Sequence, residues 1–153
     1  PDLWGGGKNL QEREELQKKR LKKILDKKPV CFNHNLETVE RLQREVRRGA
    51  NYKSSINLLK IAKNIYPNIE TKSGIMLGLG ESLEEIKNTI EDLKEVNCDQ
   101  ITIGQYLRPS LNHLPVKKYW EPEEFEYIEK FSKQLGFNKV SCGPLIRSSY
   151  HAG

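Results

Sequence analysis

The sequence predicts an α/β protein built on a parallel sheet, and three observations carry that expectation. Short apolar runs, too short for helices, alternate with longer stretches whose apolar residues recur at helical spacing. Glycine or proline closes most of the helical stretches. Polar, glycine-containing clusters follow or end the apolar runs, as expected where strands hand over to helices in βα units.

Residues 1–8 read as a glycine-rich loop, Leu3-Trp4-Gly5-Gly6-Gly7. Residues 9–28 read as a helix without Gly or Pro, with Leu21, Ile24 and Leu25 on one face and Pro29 as the stop. Val30-Cys31-Phe32 is a short strand that delivers Asn33-His34-Asn35. Residues 36–46 have Val39, Leu42 and Val46 spaced for a buried helical face, and residues 53–65 repeat the pattern with Ile56, Leu58, Leu59 and Ala62. Residues 69–79 form the next strand region, with Ile75-Met76-Leu77 buried, and it ends at Gly78-Leu79-Gly80-Glu81. Ser82 and Glu85 have the spacing of a capping box, opening a helix that runs to about residue 96. Residues 99–106 form a strand with Ile101 and Ile103 alternating, followed by an irregular segment containing Pro109 and Pro115. A helix over 122–135 begins with acidic residues and is capped by Gly136, and residues 139–142 form a last strand before the terminal motif.

A chain of 153 residues fits a single domain spanning 1–153. At 36% hydrophobic and 31% charged residues its core is modest. No apolar run approaches the roughly 20 residues of a membrane span and no signal-peptide pattern opens the chain, so no membrane association is expected. The net charge of +5 is matched by residues 8–28 alone, where nine Lys/Arg stand against four Asp/Glu with no aromatic side chain to stack on a base. Such a run reads as a solvated helix face, and nucleic acid is not an expected partner. Three cysteines without a close pair point to a reducing compartment rather than a disulfide framework.

Ligands of parallel α/β sheets gather at the carboxyl ends of the strands. Asn33-His34-Asn35-Leu36-Glu37-Thr38, Thr71-Lys72-Ser73-Gly74, Gly78-Leu79-Gly80-Glu81 and Gly104-Gln105-Tyr106 are all expected there, beside the terminal run 142–153. One such cluster would be an ordinary βα turn; four on one edge favour a ligand site. Asn35 and Glu37 suit the hydroxyls of a ribose, the carboxylate accepting and the amide both donating and accepting. His34 falls on the opposite alternation and reads as structural. Gly78 and Gly80 allow close backbone approach, yet neither fits a dinucleotide or P-loop fingerprint. Lys72 has the charge to neutralise a carboxylate, although a lone lysine is equally often solvated. Neither the cysteines (31, 98 and 142) nor the histidines (34, 113 and 151) have metal-ligand spacing, so these residues alone could not hold an iron–sulfur cluster.

Several motifs together resemble lipoyl synthase, a radical S-adenosylmethionine family. They are Asn33-His34-Asn35-Leu36-Glu37-Thr38-Val39, Thr71-Lys72-Ser73-Gly74-Ile75-Met76-Leu77-Gly78-Leu79-Gly80-Glu81, Leu107-Arg108-Pro109 after Ile103-Gly104-Gln105-Tyr106, His113-Leu114-Pro115-Val116, and Gly143-Pro144-Leu145-Ile146-Arg147-Ser148-Ser149-Tyr150-His151-Ala152. Pro1-Asp2-Leu3 resembles the family's Thr-Pro-Asp strand end, so the likeness runs the length of the chain. It implies part of a radical-SAM-type partial TIM barrel made of parallel βα repeats. It also implies a transferase that inserts two sulfur atoms into a protein-bound octanoyl chain, with S-adenosylmethionine and two 4Fe-4S clusters as cofactors. Ser149 matches the serine that ligates one iron of the auxiliary cluster, with Arg147 beside it. Residues 143–153 then form a cluster-capping terminal motif. Asn35 and Glu37 match positions that bind the ribose and amino-acid part of the cofactor in the related biotin synthase motif. Gly78, Gly80 and Gln105 match the strand ends bordering the adenosyl group, and Lys72 and Ser73 are further candidates on the cofactor side.

The resemblance also implies an octanoylated lipoyl domain or H-protein as substrate, an external electron donor, and a cytoplasmic location, or an organellar one in a eukaryote. The family's two cysteine triads lie in its amino-terminal half and have no counterpart here. The chain therefore reads as a carboxy-terminal half beginning part-way round the barrel, a reading that Pro1 in place of Met also fits. The missing half becomes an expected partner, and the isolated chain is expected to be inactive and marginally stable. Two alternatives remain open. One is a non-catalytic module that docks an acyl-carrier or lipoyl domain through the basic face of 8–28. The other is a biotin synthase relative, against which Arg147-Ser148-Ser149-Tyr150 argues.

Overall fold

Four strands pair in sequence order, every neighbour parallel, in the computed structural model, which describes residues 10–26, 31–47, 49 and 51–146. The strands are β1 (Cys31–Asn33), β2 (Glu70–Leu77), β3 (Gln100–Gln105) and β4 (Lys139–Cys142). The helices are α1 (Leu10–Leu25), α2 (Gln43–Val46), α3 (Tyr52–Ile65), α4 (Leu83–Glu95) and α5 (Pro122–Leu135). The expected βα alternation is therefore present, and the fold is part of a TIM-barrel-like parallel sheet.

Parallel register puts paired residues on the same face, and successive residues on opposite faces. Phe32 pairs with Thr71, Ser73 with Ile101, Ile75 with Ile103, and Ile103 with Cys142, so these share the face that the helices cover. α3 packs on β2 and α5 on β4, with α1 outside α3 and α4 beside α5. Leu58, Leu59, Ile75, Leu77, Ile86, Ile90, Ile101, Phe125 and Ile128 form the fully buried centre of this layer. The opposite face carries Glu70, Lys72, Gln100, Thr102 and Ser141, with Met76 and Gly104 at its carboxyl end. Gln100 Nε2 donates to the Glu70 carboxylate on this side.

Local signals place the helix ends. Ser82 and Glu85 make the reciprocal capping box at the start of α4, and Asn51 caps α3 by accepting from the Ser54 amide at 3.0 Å. Gly136, at φ 97°, closes α5 in the left-handed region that favours glycine.

Two expectations need correction. The helix expected over 36–46 is a 3-10 turn (Glu40–Leu42) followed by the single turn of α2. The stretch before it does not enter a helix because its backbone continues to bond to β2: Glu37 N–H donates to Gly74 O at 3.0 Å, and Met76 N–H to Glu37 O at 2.8 Å. Thr71-Lys72-Ser73-Gly74 does not stand at a strand end. It lies within β2, where Thr71 and Ser73 are fully buried against the helices. The Leu3 to Gly7 loop and the Pro29 stop lie outside the described residues.

Candidate functional site

The carboxyl edge of the sheet opens into a groove of about 1150 Å³. Glu37, Arg47, Met76, Gly104, Gln105 and Ile146 are among the residues that line it, and the segment from Leu107 to Pro115 forms its outer wall. That wall is braced internally: Tyr106 Oη donates to Leu114 O at 2.7 Å, and Arg108 donates to His113 O at 2.9 Å and Leu111 O at 2.8 Å.

Asn35 and Glu37 meet at this edge. Glu37 adopts φ 70°, a left-handed conformation uncommon for a residue with a Cβ, while its backbone bonds on both sides to β2. Burial raises its carboxyl above the usual range, opposed by Arg47 nearby and by a hydrogen bond from the Asn35 side chain. Asn35 Oδ1 is buried and finds no hydrogen-bond partner among the described residues. A buried acceptor without a donor is costly, and a ligand hydroxyl or ammonium group would satisfy it. The pair thus sets an unpartnered buried carbonyl oxygen beside a half-buried carboxylate, and Glu37 itself lines the groove.

Arg47 was not singled out by the sequence, because its role depends on partners that only the fold brings near. Nη1 donates to Leu36 O at 3.0 Å and Nη2 to Ser55 Oγ at 3.3 Å, which ties the end of α2 to the Asn35–Glu37 loop. His34 bonds the same Ser55 hydroxyl through Nε2 at 3.1 Å, and burial, assisted by Arg47, lowers its pKa to about 4. It is a neutral structural imidazole, as its alternation implied.

Glu81 organises the Gly78–Gly80 turn. The residue is 7% exposed, and its carboxylate accepts from Gly78 N–H at 2.9 Å, Leu79 N–H at 3.1 Å and the Trp120 indole N–H at 3.0 Å. A Cβ at Gly78 would stand 2.4 Å from Gln105 Nε2 and 2.5 Å from Lys118 O, so the absent side chain makes room for the 117–120 segment. Gly80, at φ 113°, meets only open space and the end of Lys117, and its carbonyl accepts from Arg41 Nη2 at 2.8 Å. Gln105 Nε2 donates to Tyr106 O and Lys118 O, both at 3.0 Å, and its Oε1 accepts from Trp120 N–H at 2.9 Å. The amide is thus engaged in fastening the strand end to 118–120.

The remaining candidates separate. Ser73 faces the helices, where its hydroxyl accepts from Leu36 N–H at 3.3 Å, and it supports the Asn35–Glu37 loop from behind. Lys72 is on the groove side of the sheet, two strand repeats (four residues) before Met76. Arg147 and Ser149 lie outside the described residues. Among the described residues no three His, Cys, Asp or Glu side chains are grouped as metal ligands. Cys31, Cys98 and Cys142 are on separate elements, and burial pushes the Cys98 and Cys142 thiols up to about 12. The described residues do not fit an iron–sulfur cluster, whose ligands are thiolates.

The radical SAM superfamily model matches residues 10–93. Over the full chain the sequence is 74% identical to "Lipoyl synthase 2" of Prochlorococcus marinus subsp. pastoris, of which it covers 51%. It is 52% identical over its full length to "Lipoyl synthase 2" of Nostoc sp., covering 50% of that protein. Over 99% of the chain it is 49% identical to "Lipoyl synthase" of Stenotrophomonas maltophilia, covering 43%. The chain spans about half the length of the curated relatives it matches.

Proposed function

This chain belongs to the radical SAM superfamily, and on that premise we propose that it forms the carboxy-terminal part of a lipoyl synthase, a cytoplasmic enzyme of lipoate biosynthesis that inserts two sulfur atoms into octanoyl groups carried on a lipoyl domain or H-protein. The observation that carries this reading is the Asn35–Glu37 pair, a buried unpartnered oxygen beside a half-buried carboxylate that lines the groove. S-adenosylmethionine, when bound, supplies the radical-forming chemistry of the superfamily.

The chain's own contribution is to hold and orient. Asn35 Oδ1 accepts from the cofactor's ammonium or hydroxyl hydrogens, and Glu37 takes a second donor. Arg47 keeps the loop that bears them in place through Leu36 and Ser55. Gly78, Gly80 and Gln105 shape the neighbouring wall, while Lys72 supplies a cation on the groove side. Arg147 and Ser149 are assigned to the terminal motif, Ser149 as an oxygen ligand to iron and Arg147 beside it. The described residues offer no thiolate set, so the cysteine ligands of the two 4Fe-4S clusters are expected in the remainder of the protein, with an external donor of electrons. The chain by itself is expected to be inactive.

The test uses the full-length protein. Glu37→Gln and Asn35→Ala are each expected to weaken equilibrium binding of S-adenosylmethionine by about tenfold or more, the loss of one to two buried hydrogen bonds. Unchanged affinity in both would overturn the assignment. Failure of the parent enzyme to form lipoyl groups from an octanoylated H-protein, with reductant present, would overturn the activity itself.

A further inference from the structure

The chain does not run straight on from β4. Gly143 N–H donates to Ile103 O at 3.0 Å, which continues the β3–β4 pairing by one step. Ile146 N–H then donates back to Gly143 O at 3.2 Å, closing a turn over Gly143-Pro144-Leu145-Ile146. This turn brings the Ile146 backbone down onto β3 at Gly104. A Cβ built at Gly104 would stand 2.2 Å from Ile146 O, closer than real Cβ contacts come, and 3.2 Å from its carbonyl carbon. Gly104 does not need to be glycine for its own conformation, since the positive-φ glycines are 49, 78, 80 and 136. It is needed for space, and the atoms it admits are backbone, which cannot swing aside as a side-chain tip would.

We propose that Gly104 is a positioning residue: a seat on β3 that admits the Ile146 backbone to the groove that Glu37 also lines. Gly104, Ile146 and Glu37 line the same groove. Arg147 follows Ile146 directly and Ser149 is three residues on, so the chain can carry Ser149 no farther than about 11 Å from the seat. A side chain at 104 lifts Ile146 and opens the turn from which the chain continues to Arg147. The consequence for sulfur insertion rests on the function proposed above; the seat itself does not.

The experiment compares Gly104→Ala with Gly143→Ala in the full-length protein. Gly143 is the control, because a Cβ there would lie 3.8 Å from Ile146 Cγ1, an ordinary contact. Gly104→Ala is expected to accelerate tryptic cleavage after Arg147 by about tenfold and to abolish most lipoyl formation, while affinity for S-adenosylmethionine stays that of the parent. Gly143→Ala is expected to cleave at the parent rate. Parent-like cleavage in Gly104→Ala overturns the proposal. Faster cleavage with lipoyl formation unaffected overturns its catalytic consequence. If Gly104→Ala does not accumulate, hydrogen exchange of the parent decides: the Gly143 amide should be as protected as the β3 amides, and rapid exchange there overturns the seat. The proteolysis and exchange results stand whether or not the parent forms lipoyl groups, which separates failure of the seat from failure of the proposed activity.

Discussion

The Trp120 indole donates its Nε1–H to Glu81 Oε2 at 3.0 Å, and through this bond the segment before α5 holds the turn that follows β2. The same side chain serves the Gly78 and Leu79 amides, so one buried residue fixes two loops that are 39 residues apart.

Removing that carboxylate therefore strands several donors together. Glu81→Ala leaves the Gly78 and Leu79 amides and the Trp120 indole unpaired in a buried site, at about 1–3 kcal/mol for each group that water cannot reach. A loss of about 3–5 kcal/mol is expected in urea denaturation, with Trp120 fluorescence shifted toward that of a solvated indole. Glu81→Gln keeps one accepting oxygen but turns an NH2 group toward donors, and should cost about 1–3 kcal/mol. If Glu81→Ala unfolds within 1 kcal/mol of the parent, roughly the worth of a single ordinary hydrogen bond, the carboxylate does not hold these loops.

Gly78 and Gly80 have nearly the same φ, 112° and 113°, but different surroundings. Alanine at either position bears the left-handed strain, about 1 kcal/mol. Only at Gly78 does the new methyl also meet Lys118 O at 2.5 Å and Gln105 Nε2 at 2.4 Å. Gly78→Ala should accordingly cost about 2–4 kcal/mol and displace 117–120, against about 1 kcal/mol for Gly80→Ala. Equal thermal midpoints for the two variants would show that conformation alone matters at both sites.

What the sequence made legible is local. α5 was readable to the residue because Pro122, the Glu121–Glu124 capping box and Gly136 all act within one turn of its ends. β2 and β3 were readable from their apolar runs. The stretch from Asn35 to Val39 was not, because its conformation is set by backbone bonds to Gly74 and Met76, residues remote in sequence, which override its helical spacing. Part of the site follows the same division. Asn35 and Glu37 are two residues apart and could be paired by inspection. Arg47 could not be found, since Leu36 and Ser55 give it meaning. The Gln105 amide was read toward a cofactor, while its partners Lys118 and Trp120 come from an irregular segment with no periodicity to betray it.

Those partners make Gln105 a second test of the 117–120 anchor. Gln105→Ala deletes two donated bonds and one accepted bond, and leaves the Trp120 amide without its acceptor. The expected loss is about 2–3 kcal/mol, with hydrogen exchange faster at Trp120 and unchanged in α3. Uniformly faster exchange would indicate general destabilisation rather than release of this segment.

His34 gives the protein a pH dependence whose sign follows from its environment. Burial, with Arg47 contributing, lowers its pKa from an ordinary 6.5 to about 4, so the folded form holds the imidazole neutral. Above pH 6.5 neither state binds the proton and the contribution to stability is fully present. As pH falls below 6.5 the unfolded chain takes up a proton that the folded chain refuses until about pH 4, and stability drops across that window. At about 1.4 kcal/mol per pH unit the full drop is about 3 kcal/mol. Nearby carboxylates titrate in the same range, so the effect is read as a difference between the parent and His34→Gln. Glutamine keeps a hydrogen-bonding group for Ser55 but cannot charge. The variant should be less stable than the parent at pH 7 by about 1 kcal/mol, and that gap should close or reverse by pH 4.5. Two stability profiles that stay parallel from pH 6.5 to 4 would show that His34 is not held neutral by the fold.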